Sequence, residues 1–218
     1  MNKVSFILLI IPLVLFTSCT TEPEDGDDWD AAKVCPETGT NSYGMPNRGT
    51  FTDERDGQVY RYTTIGKQVW MAENLKFDCE YSYCYYEDDD CQSLGRTYYP
   101  GHLDVCPAGW HVPTDEEWMQ LFDKFENNLQ AAKTLKATYS WTALNPEDDP
   151  NGTDECGFSA VYAVNNLDEK GFESGFMTST ITSAYSVKIY TFISYGNGIG
   201  SAEHAGSYSS QYIRCVKD

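Results

Sequence analysis

Basic side chains are scarce in this chain: 15 Lys and Arg stand against 33 Asp and Glu, a formal net charge of −18. So acidic a surface repels phosphate backbones and anionic headgroups, which excludes nucleic acid as an expected partner. Histidine is nearly missing. His102, His111 and His204 fall in neither a His-x-x-x-His nor a His-Glu-x-x-His spacing, so no zinc-hydrolase signature is present. His111, between Trp110 and Val112, reads as a hydrogen-bonded structural histidine. A Gly-x-Ser-x-Gly elbow, a phosphate-binding glycine loop and an internal repeat are absent as well. With these gone, enzymatic activity is the weaker expectation.

The apolar run from Val4 to Phe16, broken only by Ser5 and Pro12, follows a single Lys3. At about 13 residues it falls short of the roughly 20 that span a bilayer, and it has the profile of an export signal. It ends in Phe16-Thr17-Ser18-Cys19, which resembles the bacterial lipobox, whose cysteine is lipidated and becomes the new N-terminus. Residues 1–18 are therefore expected to be a lipoprotein signal peptide and Cys19 the lipidation site, with the membrane a partner through that lipid. The segment after it, Thr-Thr-Glu-Pro-Glu-Asp-Gly-Asp-Asp-Trp-Asp, has little to bury, and residues 19–47 read as a flexible acidic tether. Acidic residues just after a lipidated cysteine resemble a surface-export signal; a charged linker without an address accounts for them equally. The expected location is the bacterial outer membrane or cell surface, outside the cytoplasm. Residues 48–218 remain as one domain long enough to bury a core.

Beyond Cys19 there are seven cysteines, with no Cys-Cys-His-His spacing to hold zinc. In an exported chain they are expected to form disulfides, and an odd number leaves at least one unpaired. Cys106 with Cys215 would close a loop of roughly 110 residues, on the order of 4.7 kcal/mol in the chain-entropy account. Cys84 with Cys91 would close a small acidic loop, for roughly 2.5 kcal/mol. Among Cys35, Cys79 and Cys156, the first pairing to consider is Cys79 with Cys156.

Val59, Tyr60, Tyr62, Thr63 and Ile65 favour strand, Gly66-Lys67 punctuates, and Gln68 to Met71 resumes, which predicts a hairpin. Thr114-Asp115-Glu116-Glu117 is a capping box opening a helix, with Trp118, Leu121, Phe122 and Phe125 on one stripe. A second helix is expected from about Asn128 to Ala137. Residues 140–157 read as loop. Strand-like segments follow at Gly175 to Thr180, Val187 to Tyr195 and Tyr208 to Val216. A hairpin, then helices, then strands indicate an α+β domain.

Several blocks in order resemble the Fibrobacter succinogenes major paralogous domain family: FTDERDG at Phe51 to Gly57, QVWMAENL at Gln68 to Leu75, Gly95 to Tyr98, CPAGWHVPTDEEW at Cys106 to Trp118, Gly157 to Ala160, and YIRCVKD at Tyr212 to Asp218. The likeness covers roughly residues 48 to 218. It implies an exported protein of a cellulose-degrading lineage and no particular activity. More distantly, Val112 to Trp118 resembles the helix start of the formylglycine-generating enzyme domain, which implies a C-type-lectin-like fold of short antiparallel strands with one or two helices.

Cys79 and Cys84, five positions apart around Ser82-Tyr83, resemble the copper-binding pair of those enzymes, but lie before the helix instead of after it. A copper-dependent oxidase is therefore the weakest of three readings. Asp149, Asn151 and Asp154, in an acidic loop, could supply oxygen ligands to calcium; solvated loops explain them as well. No other cofactor is expected. Tyr85, Tyr86, Tyr98 and Tyr99 lie in tyrosine-rich loops and are the candidate ligand-binding rings, although tyrosine also commonly packs with only its hydroxyl wet. The leading expectation is a noncatalytic surface-binding or adhesion module for glycan or another cell-surface polymer. The alternative is a structural or protein-interaction lipoprotein of the envelope.

Overall fold

The computed structural model describes residues 29–84, 88–143, 145, 147, 149–162, 172–184, 186–195, 198–205 and 210–218. Cys19, Tyr85 and Tyr86 lie outside them. The described residues open with a short helix α1 (Ala31–Val34) and a meander of β1 (Arg48–Thr52), β2 (Val59–Ile65) and β3 (Gln68–Met71). Then come β4 (Ser82–Tyr83), α2 (Asp88–Leu94), β5 (Thr97–Tyr98), β6 (Trp110–His111), α3 (Asp115–Phe122) and α4 (Asn128–Leu135). The last third is β7 (Glu173–Ser183), β8 (Ser186–Ile193), β9 (Ile199–Ala205), β10 (Gln211–Tyr212) and β11 (Val216–Lys217). This is an α+β fold. Among the described residues there are four short helices where one or two were expected; α1 and α2 are each too short to carry an apolar period in the sequence. Among the described residues no helix is long and apolar enough to cross a membrane.

The expected turn at Gly66-Lys67 joins β2 and β3, with Ile65 opposite Gln68. Helix α3 begins as its sequence dictates: the Thr114 hydroxyl accepts from the Glu117 amide at 3.1 Å, and the Glu117 carboxylate accepts from the Thr114 amide at 2.7 Å. Trp118 and Leu121 on its inner face are fully buried. Helix α4 starts on Asn127, whose side chain accepts from the Gln130 amide.

The strands form two sheets, in the orders β1-β2-β3-β11-β6 and β4-β5-β10-β7-β8-β9. Residues 211–217 serve both, since β10 pairs with β5 and β7 while β11 pairs with β3 and β6. This shared segment also parts the core. Tyr212 and Val216 pack into an aromatic cluster with Trp70, Trp118, Phe158, Phe176 and Phe192, whereas Ile213 and Cys215 join Tyr60, Tyr98, Trp110 and Val112 on the other side. The alternation follows from the period of two in an extended chain. Trp118 is the hub of the first cluster, with Trp70 at 4.8 Å and Phe176 at 5.7 Å between ring centroids. Such aromatic pairs add about 0.5–1.5 kcal/mol each beyond area burial.

Among the described residues three disulfides staple the fold. Cys84–Cys91 and Cys106–Cys215 form, as their spacings suggested. The third corrects the pairing considered above: Cys156 bonds Cys35, and Cys79 is free. It also shortens the tether expected over 19–47. The Trp29 ring packs tilted against Phe125 at 5.5 Å between centroids and donates to the Lys124 carbonyl, and Cys35 is buried, so residues 29–47 belong to the folded body. The acidic composition of that stretch is concentrated before Trp29, which is why the two parts looked alike in sequence.

Candidate functional site

The described sequence candidates scatter. Tyr98 offers no face to a ligand: as part of β5 between β4 and β10 it is fully buried, and its hydroxyl donates to the Phe77 carbonyl at 2.8 Å. Burial pushes its phenol pKa well up. Tyr99 is half-buried. Cys84 is committed to Cys91, so the two-thiol copper pair with Cys79 does not form. Asp149 and Asn151 line one cleft together with Lys136, whose ammonium donates to the Pro150 carbonyl at 2.6 Å. Asp149 caps the Asn151 amide at 3.1 Å. Asp154 is elsewhere engaged, accepting from the Ser159 amide at 2.7 Å and from its hydroxyl at 2.5 Å. Among the described residues no group of three His, Cys, Asp or Glu side chains is placed to hold a metal ion.

His111 is the hydrogen-bonded histidine anticipated. Its ring nitrogens meet Asp218 at 2.7 Å and Glu117 at 2.8 Å, tying the end of the chain to the capping box of α3. Burial pulls its pKa down, but the two carboxylates outweigh that and the net shift is upward.

A different set of residues converges on Arg214. It sits between β10 and β11, on the face shared with Tyr212 and Val216, and is fully buried. Its Nη2 donates to Asn74 Oδ1 at 2.5 Å and to the Ser159 carbonyl at 3.3 Å, and its Nη1 donates to the Phe158 carbonyl. The guanidinium lies 4.3 Å from the Phe158 ring centroid. Its Nε has no hydrogen-bond partner, and among the described residues no carboxylate forms an ion pair with it. The Asp154 and Glu73 carboxylates act on it through space without pairing with it, so part of the several kcal/mol that burying an ion costs is left uncompensated. Burial lowers its pKa to about 9, which leaves it a cation at neutral pH.

Arg214 forms part of the wall of a cleft of about 250 Å³ whose other walls include Arg61, Glu73, Asn74, Lys76, Gln92 and Tyr139. Strand β2 supplies Arg61, and the turn out of β3 supplies residues 73–76. The Leu75 amide donates to the Ile213 carbonyl at 2.9 Å, which fixes that turn beside Arg214. Asn74 is held a second time through its Nδ2, which donates to the Leu94 carbonyl at the end of α2. Gly95 follows at φ +89°, and a Cβ there would come within 2.5 Å of the Asn74 Cβ, so only glycine lets α2 close this tightly on the site. Glu73 accepts from the Arg61 amide at 2.8 Å and from Lys76 at 3.3 Å. Burial raises its pKa, and those partners more than reverse the shift, so its net pKa is lowered.

Backbone strain gathers at the same place. Among the described residues the non-glycine positions with positive φ are Ser140 (82°), Asp154 (51°) and Ser159 (53°). Ser140 follows Tyr139, Ser159 lines the cleft, and Asp154 holds Ser159. Left-handed backbone is unfavourable for residues with a Cβ and is kept where surrounding contacts over-determine it, often at binding sites. Sequence reading overlooked this cluster. Arg214 lay within the family block YIRCVKD with nothing to mark it as buried, and Tyr139, 60% exposed on the rim, lay outside the tyrosine-rich loops.

The family described as the Fibrobacter succinogenes major domain matches residues 63–217, the stretch that holds the second sheet and all of the first beyond β1 and the start of β2. The chain belongs to that family. Within this Fibrobacter succinogenes major domain, Glu73, Asn74, Gly95, Arg214 and Ser159 all fall inside the matched stretch, and Arg61 just before it. No curated protein and no solved structure matches the chain.

Proposed function

We propose that this Fibrobacter succinogenes major domain protein is a noncatalytic binding module, held outside the cytoplasm by lipid on Cys19 and gripping a glycan or another cell-surface polymer. The observation that carries the reading is the Arg214 cleft: a ring-sized polar recess with an exposed tyrosine at its rim, built on a body cross-linked by three disulfides. A preformed recess with convergent polar groups is the usual form of a small-ligand site. Short antiparallel strands, α3 and α4 packed against them, and a bridge from Cys106 to the end of the chain support a C-type-lectin-like architecture for it.

The test is a panel of glycans and plant polysaccharides applied to the purified chain, with and without calcium. Binding that is indifferent to chelator and weakened by Tyr139→Ala agrees with the cleft. Loss of binding in chelator would move the site to Asp149 and Asn151. Silence across the panel would sink the glycan reading and favour a protein-interaction lipoprotein. One observation favours that second reading: Ile181, 68% exposed, borders an apolar groove with Pro100, Leu103 and Val187.

A further inference from the structure

The Arg214 cleft differs in charge from the rest of the molecule. Three cations, Arg61, Lys76 and Arg214, contribute to its walls against the single carboxylate of Glu73, in a chain whose formal net charge is −18. Glu73 is already satisfied by Lys76 at 3.3 Å and by the Arg61 guanidinium at 3.6 Å. Arg214 feels the fields of Glu73 and, behind the wall, of Asp154, but among the described residues it forms an ion pair with neither. Buried guanidinium groups normally face carboxylates, and an orphaned buried nitrogen calls for a partner. Here Nε has none.

A neutral ligand would leave that excess positive charge unbalanced, so the occupant carries a negative group. Glu73 in the wall limits how much negative charge the cleft tolerates, which favours a carboxylate monoanion over a phosphate dianion. The volume, about 250 Å³, lies below the roughly 300 Å³ floor of pockets for drug-sized ligands and suits a single ring. Gln92 on the rim is exposed and presents both amide donor and acceptor to hydroxyls, while the exposed Tyr139 ring offers an apolar face to a pyranose.

We infer that the Arg214 cleft takes a uronic-acid residue of an acidic polysaccharide, its carboxylate between the Arg61 side and the buried guanidinium and its hydroxyls on the rim. The inference rests on the glycan-binding reading and narrows it to one sugar class. Arg61 makes the outer contact, since its side chain is 58% exposed and its pairing with Glu73 is long, at 3.6 Å. Arg214 supplies the fixed field behind it.

The experiment is a calorimetric titration of the full-length chain in detergent with oligogalacturonate, with its methyl ester, and with a neutral oligosaccharide of the same length. Uronate is expected to bind about tenfold or more tightly than the ester or the neutral sugar, the scale of one hydrogen bond to a charged group. Arg61→Gln, at an exposed position that leaves the buried network intact, should bring uronate down to the level of the ester, and Tyr139→Ala should weaken all three alike. Equal binding of uronate and ester, or preference for the neutral sugar, would overturn the inference and leave the glycan reading standing. Uronate preference untouched by Arg61→Gln would also overturn it, by placing the anion elsewhere. Binding to none of the three, with an acidic peptide binding in their stead, would remove both.

Discussion

Arg214 Nη2 and Asn74 Oδ1 meet at 2.5 Å across 140 residues of sequence, joining the segment shared by the two sheets to the turn that leaves β3. Asn74 carries the Leu94 carbonyl on its other end, so one small amide holds a buried cation and the end of α2 together. Asn74→Ala is expected to leave Arg214 Nη2 with only the Ser159 carbonyl and the Leu94 carbonyl without this donor, at a cost of about 2–4 kcal/mol. Urea unfolding would read this directly, and a loss under about 0.5 kcal/mol would mean that the amide is replaceable.

Gly95→Ala approaches the same amide from the other side. The added methyl would meet Asn74 at a position where φ is +89°, so strain and collision act together. Destabilisation of about 1–3 kcal/mol is expected. A variant as stable as the parent would show that α2 can move away without loss.

The His111 ring joins Asp218 to Glu117, and its pKa in the folded chain is raised above the ordinary 6.5. Its contribution is thus fully present below pH 6.5 and fades as pH rises through the raised value. Thermal unfolding followed from pH 5 to 9 should show this decline in the parent and a flatter profile in His111→Gln. Equal slopes in the two would show that the bridge does not couple to folding.

Asp115 has the opposite sign. It accepts from Lys188 at 2.9 Å and from the Tyr190 hydroxyl at 2.5 Å; burial raises its pKa, but these bonds bring it below the ordinary 3.8. Its contribution is present above pH 3.8 and is lost as pH falls through the lowered value. Asp115→Asn should therefore be less stable than the parent at pH 6, with the gap narrowing under strong acid. A gap that stays constant down to pH 2 would assign the stabilisation to shape alone.

Cys35–Cys156 ties residues 29–47 to the body across a sequence separation of 121. In the chain-entropy account such a bridge is worth on the order of 5 kcal/mol. Cys35→Ser is expected to expose the segment before β1 to limited proteolysis and to raise the thiol count of the unmodified chain from residue 20 onward from one, Cys79, to two. Unchanged proteolysis would mean that Trp29 packing on Phe125 suffices.

Much of the scaffold was written locally. Thr114 and Glu117 determine where α3 begins because both capping partners lie within one turn. Gly66-Lys67 determines the β2–β3 register for the same reason, and the close spacing of Cys84 and Cys91 leaves little doubt about their bridge. Strand β9 was missed, because Ile199 to Ala205 is rich in small and polar residues and becomes a strand only by pairing with β8.

The sequence by itself determined the acidic charge, the α+β class, the α3 cap and two of the three disulfides, all of which rest on composition, short spacings or recurring family blocks. Only the tertiary structure decided that Cys35 takes Cys156, that Tyr98 is buried while Tyr139 faces solvent, and that Arg214 lies buried beside a cleft. Those outcomes depend on which elements cover a side chain. Partners such as Asn74 and Arg214 meet because two sheets share one strand segment, and no local pattern encodes which residues that crossing will shield from water.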